Sequence, residues 1–134
     1  MRQTNVKRGA IRVIAGSALT GKEGYLVKLV DNAGVPSAYL PAAATDVAAY
    51  VVIEGAAAGS LCSIQPLEHG QQVRVIANST TFVAGDKVVG YAAGQEGKAT
   101  EWASGPAFIA GIAEETGDTA GQWLLMRPLL SYWT

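Results

Sequence analysis

One cysteine, one histidine and few charges set the first limits on this 134-residue chain. Cys62 alone can neither close an internal disulfide nor build a cysteine metal cluster, so packing or assembly must hold the fold. A catalytic triad or a multi-histidine metal centre cannot be assembled around His69 alone. Nothing in the spacing supports a Cys62–His69 dyad either, and Cys62 reads as a small buried thiol within a strand. Charged residues make up only 16% of the chain, against 49% hydrophobic ones. Such an apolar balance points to surface buried against a partner. The net charge of −1 favours neither nucleic acid nor a membrane surface. No uncharged apolar run reaches the roughly 18 residues of a membrane-spanning helix. The segment "AIRVIA" is too short for a secretory h-region and contains Arg12, so no signal peptide is expected. The Asn78-Ser79-Thr80 sequon is then expected to be idle.

The few charges are unevenly placed. Residues 1–22 hold Arg2, Lys7, Arg8, Arg12 and Lys22 and no acid, while the remainder is net acidic. This pattern predicts an extended basic arm over residues 1–18, on a single β domain formed by residues 19–134. Such an arm can clasp an acidic neighbour or a second copy of the chain.

Long helical windows are missing too, because 16 glycines interrupt them. What remains is short, β-branched and regularly punctuated. Strands are expected over 10–15, 24–30, 36–40, 48–54, 59–66, 71–76, 86–91, 98–102, 107–114 and 121–128. "QQVRVIA" alternates most clearly, with Val73 and Val75 on one face and Arg74 on the other. Turn signals at Asp31-Asn32-Ala33-Gly34 and Gly94-Gln95-Glu96-Gly97 separate the runs. Strands at this spacing predict an all-β fold, a compact sandwich or barrel-like domain of about ten strands. One helical turn is expected in "PAAATDVAA" (41–49), opened by Pro41.

Two stretches look alike. "GAAAGSLCSIQPL" (55–67) and "GDTAGQWLLMRPL" (117–129) each run from a small-residue turn through an apolar segment to Pro-Leu, offset by 62 residues. The register extends ungapped over 24–67 and 86–129, which predicts two related β-units joined by "EHGQQVRVIANSTTFVA". A proline donates no ladder hydrogen bond, so each unit is expected to stop at Pro-Leu.

The sharpest chemical motif is "GSALTGKE" (16–23), a near match to the phosphate-binding loop G-x-x-x-x-G-K-[ST]. Glu23 replaces the hydroxyl that would hold magnesium, and the following residues read as strand where the motif needs a helix N-terminus. A glycine-punctuated turn is the expectation. Glu114, Glu115 and Asp118 flank a glycine turn without the EF-hand pattern and read as a solvated loop. The tail "WLLMRPLLSYWT" carries one charge, Arg127, among large apolar residues. Two roles fit Tyr132 and Trp133: folding back onto the core, or anchoring in a neighbouring subunit.

Together these runs resemble small phage head-decoration proteins, also called capsid cement proteins. The matching features are the "GYLVKL" strand, the section 51–75 around its alanine-glycine turn, the "VAGDKVVGYAAGQEGKAT" section (83–100) and the closing section 107–129. The resemblance spans roughly residues 19–130 and carries no catalytic signature. It implies a virion protein made in the host cytoplasm that binds the outer surface of an icosahedral capsid and stabilises capsomer junctions. Its implied partners are the major capsid protein and itself, as a homotrimer in many such phages, with no enzyme activity, nucleic acid or membrane involved. No cofactor or metal is expected. The expected capsid or subunit contacts are Arg2, Lys7, Arg8, Arg12, Tyr132 and Trp133.

Two other small β modules compete with this reading. A carrier domain needs a modifiable lysine at a hairpin tip, whereas Lys87 opens a strand with no methionine beside it. A carbohydrate-binding domain could stack sugars on Trp102, Trp123 and Trp133, although the spacing puts these on three different elements.

Overall fold

The computed structural model describes residues 9–78, 81–117 and 121–133. Ten strands account for its regular structure, and no helix occurs among the described residues. Strands β1 (Ile11–Ala15), β2 (Leu26–Asn32), β3 (Val35–Tyr39), β4 (Tyr50–Glu54) and β5 (Leu61–Pro66) close into a barrel in the order β1-β3-β2-β4-β5. Strands β6 (Val73–Ile76), β7 (Lys87–Val89), β8 (Thr100–Glu101), β9 (Ala107–Ala113) and β10 (Trp123–Trp133) form a second sheet, ordered β6-β10-β9-β7-β8.

The second sheet repeats the first. The residues flanking its end strands, Ala77 after β6 and Ala99 before β8, meet in a single parallel bridge, where β1 and β3 pair in parallel at Ile14–Ser37 and Ala15–Ala38. Ile11, Arg12, Val13 and Ile14 pair with Ile64, Ser63, Cys62 and Leu61. Val73, Arg74, Val75 and Ile76 pair with Met126, Leu125, Leu124 and Trp123, the same register displaced by 62 residues. The sequence carries this match openly in "RVIA", at Arg12–Ala15 and again at Arg74–Ala77. The repeat therefore starts earlier than Gly24, and the supposed linker contains β6, the first strand of the second unit.

Three clusters fill the fold. One lies inside the first barrel and includes Val13, Val27, Val52, Cys62 and Ile64. The largest joins the two units: Leu26, Ala48, Val51 and Leu67 from the first meet Val75, Phe82, Val88, Leu124 and Met126 from the second. Adjacent residues of β2 point opposite ways, Leu26 into the shared core and Val27 into the first barrel. Backbone bonds add to this junction, from Ile76 N–H to Gly24 O (3.0 Å) and from Leu26 N–H to Gly97 O (2.6 Å). A smaller cluster of Val89, Ala107 and Ile109 lies under Leu129, Ala44 and Trp102.

Three expectations change. The strand expected over 10–15 forms as β1, with Val13 and Ala15 buried, because alternation in "IRVIA" gives it a face to bury; residues 11–15 therefore belong to the barrel and not to an extended arm over 1–18. Residues 41–49 contain turns and no helix. Asp46 Oδ2 accepts the Ala42 N–H (2.7 Å) and the Lys28 ammonium (2.8 Å), a local arrangement that competes with helical bonding. β5 ends at Pro66, but β10 continues through Pro128 to Trp133. β6 begins at Val73, opposite Met126, and does not reach Pro128, so on that side the proline ring costs no ladder bond. A bulge between Pro128 and Ser131 absorbs the change, with Leu130 at φ 56°.

Candidate functional site

The groups that could do chemistry are held apart or already engaged. Cys62 lies inside the first barrel, where burial pushes its thiol pKa up. His69 is exposed in the turn after β5. The "GSALTGKE" loop leads into β2 and is pinned to the loop after β4. There the Leu19 N–H donates to Ala56 O (2.8 Å), and Glu23 Oε2 accepts the Gly55 N–H (2.9 Å). Glu114 accepts bonds from Gln72 and Arg127, which hold its carboxyl below the usual range, Gln72 contributing most. Glu115 meets Arg74 and the Leu125 N–H. Asp118 lies outside the described residues. A groove of about 210 Å³ opens between Lys22, Tyr25, Leu40, Gln95, Glu96 and Lys98.

The surface is more informative than the interior, and it offers two faces. The first is the outside of the β1–β5–β4 ribbon. Alternation turns Arg12 and Ile14 outward on β1 and Leu61 and Ser63 outward on β5. Ser63 stands between Arg12 and Glu54 in the ladder, and Leu61 pairs with Ile14. A bulge between Val52 and Glu54 adds Ile53 to the exposed surface. Ile53 and Leu61 are 50% and 53% exposed. Arg12 belongs to none of the ion pairs found among the described residues, which use Lys28, Arg74 and Arg127. Arg2, Lys7 and Arg8 lie outside the described residues, just before this strand in the chain.

The second face lies at the end of β10. Ser131, Tyr132 and Trp133 pair with Ile109, Phe108 and Ala107, so this segment packs back on its own sheet. Tyr132 meets Phe108 edge-on, with ring centroids 5.3 Å apart. Trp133 meets Trp102 at 5.6 Å, the ring planes inclined at 51°. The Lys87 ammonium sits over both indoles, 4.7 Å from the Trp133 centroid and 5.8 Å from that of Trp102. Lys87 opens β7 and pairs with Ile112, so it does not occupy a hairpin tip. The structure thus unites two of the three tryptophans that sequence spacing separates. Trp123 stands apart, against Gly24 and Ile76 at the junction of the two units. Sequence reasoning missed Ile53 and Leu61 as exposed apolar groups, because both occur in runs that read as core.

No protein-family model matches the chain, and no curated protein sequence matches it. A solved structure does. The N base of the head fiber of bacteriophage phi29 aligns with a TM-score of 0.72 at 20% identity, covering 96% of this chain and 99% of that one. The two chains share a fold over nearly their whole lengths.

Proposed function

We propose that this protein is a structural component of a phage virion, binding the outer surface of the head and stabilising capsomer junctions as a decoration or cement protein. The observation that carries the reading is the near-complete fold correspondence with the N base of a phage head fiber. The sequence resemblance to head-decoration proteins supports the same class independently.

The seat on the head is the outer face of the first barrel. Arg12 supplies an uncommitted charge, Ile53 and Leu61 supply apolar area, and Arg2, Lys7 and Arg8 extend the contact along the capsid. Each Å² of apolar area removed from water contributes about 25 cal/mol, and a symmetric shell repeats that contribution at every site. Copies of the chain also associate with one another, as a homotrimer, before or upon docking. The protein is made in the host cytoplasm and joins the shell there.

The test is to mix full-length protein with purified heads that lack it, sediment them, and count copies per head by quantitative mass spectrometry. Saturable binding at a copy number set by capsid symmetry is expected. Heads that stay bare at micromolar protein would refute the proposal. Light scattering of the free protein checks the trimer.

A further inference from the structure

The wedge of Trp102 and Trp133 belongs to the second unit, outside the seat proposed on the first barrel, and its chemistry suits another ligand. We infer that this wedge, with Lys87, is a shallow subsite for an acidic saccharide. A pyranose ring has an apolar C–H face that lies well on an indole, while its hydroxyls remain in water. Trp133 keeps 40% of its surface exposed. The residues that follow Trp102, from Ala103 to Pro106, are all exposed, so a chain of sugars can approach without obstruction.

The platform is fixed before any ligand arrives. The Trp102 indole N–H donates to Gly105 O at 3.1 Å, and its side chain packs against the cluster of Val89, Ala107 and Ile109. Trp133 is held by the pairing of β10 with β9 opposite Ala107. Rigid aromatic groups lose little conformational freedom on binding, which leaves more of the contact energy for affinity.

The charge sets the class of sugar. Lys87 takes part in none of the ion pairs among the described residues; its ammonium faces the indoles. Glu101, on the neighbouring strand, accepts the Thr81 hydroxyl instead. An ammonium poised over two inclined rings, with no carboxylate partner among the described residues, complements a sugar bearing a carboxylate or sulfate. A neutral sugar would gain the stacking alone.

Saturation-transfer NMR on the full-length protein tests this with trigalacturonate, sialyllactose and a heparin tetrasaccharide as acidic probes, maltotriose as the neutral probe, and inorganic phosphate as competitor. At least one acidic probe is expected to bind saturably and about tenfold more tightly than maltotriose, with affinity falling as salt rises. Lys87→Gln should reduce it to the maltotriose level, Trp133→Ala should abolish it, and Trp123→Phe should leave it unchanged. Lys87→Gln changes charge at a surface position, so it stays informative even if Trp133→Ala unfolds the sheet end. Silence with all three acidic probes would overturn the inference. So would binding that survives both wedge substitutions, or displacement by phosphate at equal concentration. Loss of head binding in the wedge variants, without any saccharide response, would instead assign this face to the capsid.

Discussion

Replacing Leu26 by alanine asks whether the two five-strand units stand or fall together. Leu26 is fully buried and belongs to the cluster that both units share. A Cβ placed on Gly90, in the second unit, would lie 3.2 Å from the Leu26 Cβ, so the side chain reaches across the junction. Truncating a buried leucine costs about 3 kcal/mol once lost transfer energy and the residual cavity are combined. For a chain of this length that corresponds to a fall in Tm of about 10 °C. The sequence supplies a separate reporter for each half: Cys62 is inside the first barrel, while Trp102, Trp123 and Trp133 all belong to the second unit. Unfolding in urea can be followed by tryptophan emission and by the reaction of Cys62 with a thiol reagent. Burial raises the thiol's pKa, so native protein should react slowly. If the shared core makes one cooperative unit, both probes report one midpoint, and Leu26→Ala lowers both equally. Val27→Ala, which opens only the interior of the first barrel, should also move the two together. A Cys62 that becomes reactive well before the tryptophans shift would show that the two units melt separately, and the shared-core argument would fail.

Further outcomes follow from single contacts. Gly24 has φ 85°, and a Cβ there would strike the Trp123 ring; Gly24→Ala should cost about 1–3 kcal/mol by thermal melting. Adding Trp123→Ala should recover part of that loss, and no recovery would refute the steric cause. At Asp46, burial works to raise the carboxyl pKa, but bonds from Lys28 and the Ala42 N–H outweigh it and leave it below its ordinary value. A depressed folded pKa adds stability above the usual carboxylate range and loses it as pH falls through the folded value. Wild type should therefore exceed Asp46→Asn near neutrality and converge with it in strong acid, as acid titration of the melting temperature will reveal. Deleting residues 1–8 should weaken head binding and leave the melting curve intact. Deleting residues 1–18 should instead unfold the protein, because it removes β1 from a closed barrel. Equal melting of the two truncations would contradict the assignment of β1.

Alternation and turn residues were enough to locate all ten strands: every strand but the two-residue β8 has a face to bury, and Gly, Pro or Asx turns punctuate the runs. What they could not convey is which strands neighbour each other in space. The overrun of β10 past Pro128 depends on β6 being short, a property of a strand some fifty residues away. The meeting of Trp102 with Trp133 depends on the bulge after Pro128, which resets the facing of Tyr132 and Trp133. Phe82 is fully buried at the shared core yet lies in a segment without strand geometry, where periodicity has nothing to report. The "RVIA" duplication was legible throughout. It is obscured because the more conspicuous Pro-Leu match anchors the alignment at its other end, and because treating residues 1–18 as an arm leaves the 10–15 strand outside the repeat.

The duplication itself indicates where function should be sought. A slip of one residue would turn every inward side chain outward, so the shared register constrains the interior of both units. Val13 and Val75, Ala15 and Ala77, Cys62 and Leu124, and Ile64 and Met126 are equivalent pairs, and all are buried. Outward positions carry no such constraint, and on β5 and β10 they differ: Leu61 corresponds to Trp123 and Ser63 to Leu125. On β1 and β6 the outward residues match, Ile14 with Ile76 and Arg12 with Arg74; the arginines are the informative pair, identical in type and register but different in circumstance. Arg74 reaches Glu115 at 3.3 Å, whereas Arg12 faces solvent with no carboxylate partner among the described residues. An exposed pair such as Arg74–Glu115 contributes little to stability, so losing either arginine should leave the fold nearly unchanged. Their effects on docking should diverge. Arg12→Glu places a repulsive charge at the centre of the proposed seat and should weaken head binding at least tenfold, with a smaller deficit at high salt. Arg74→Glu, on the equivalent strand of the other unit, should bind heads as wild type does. If both reversals weaken binding alike, net charge governs docking, and the first barrel has no special claim to the capsid.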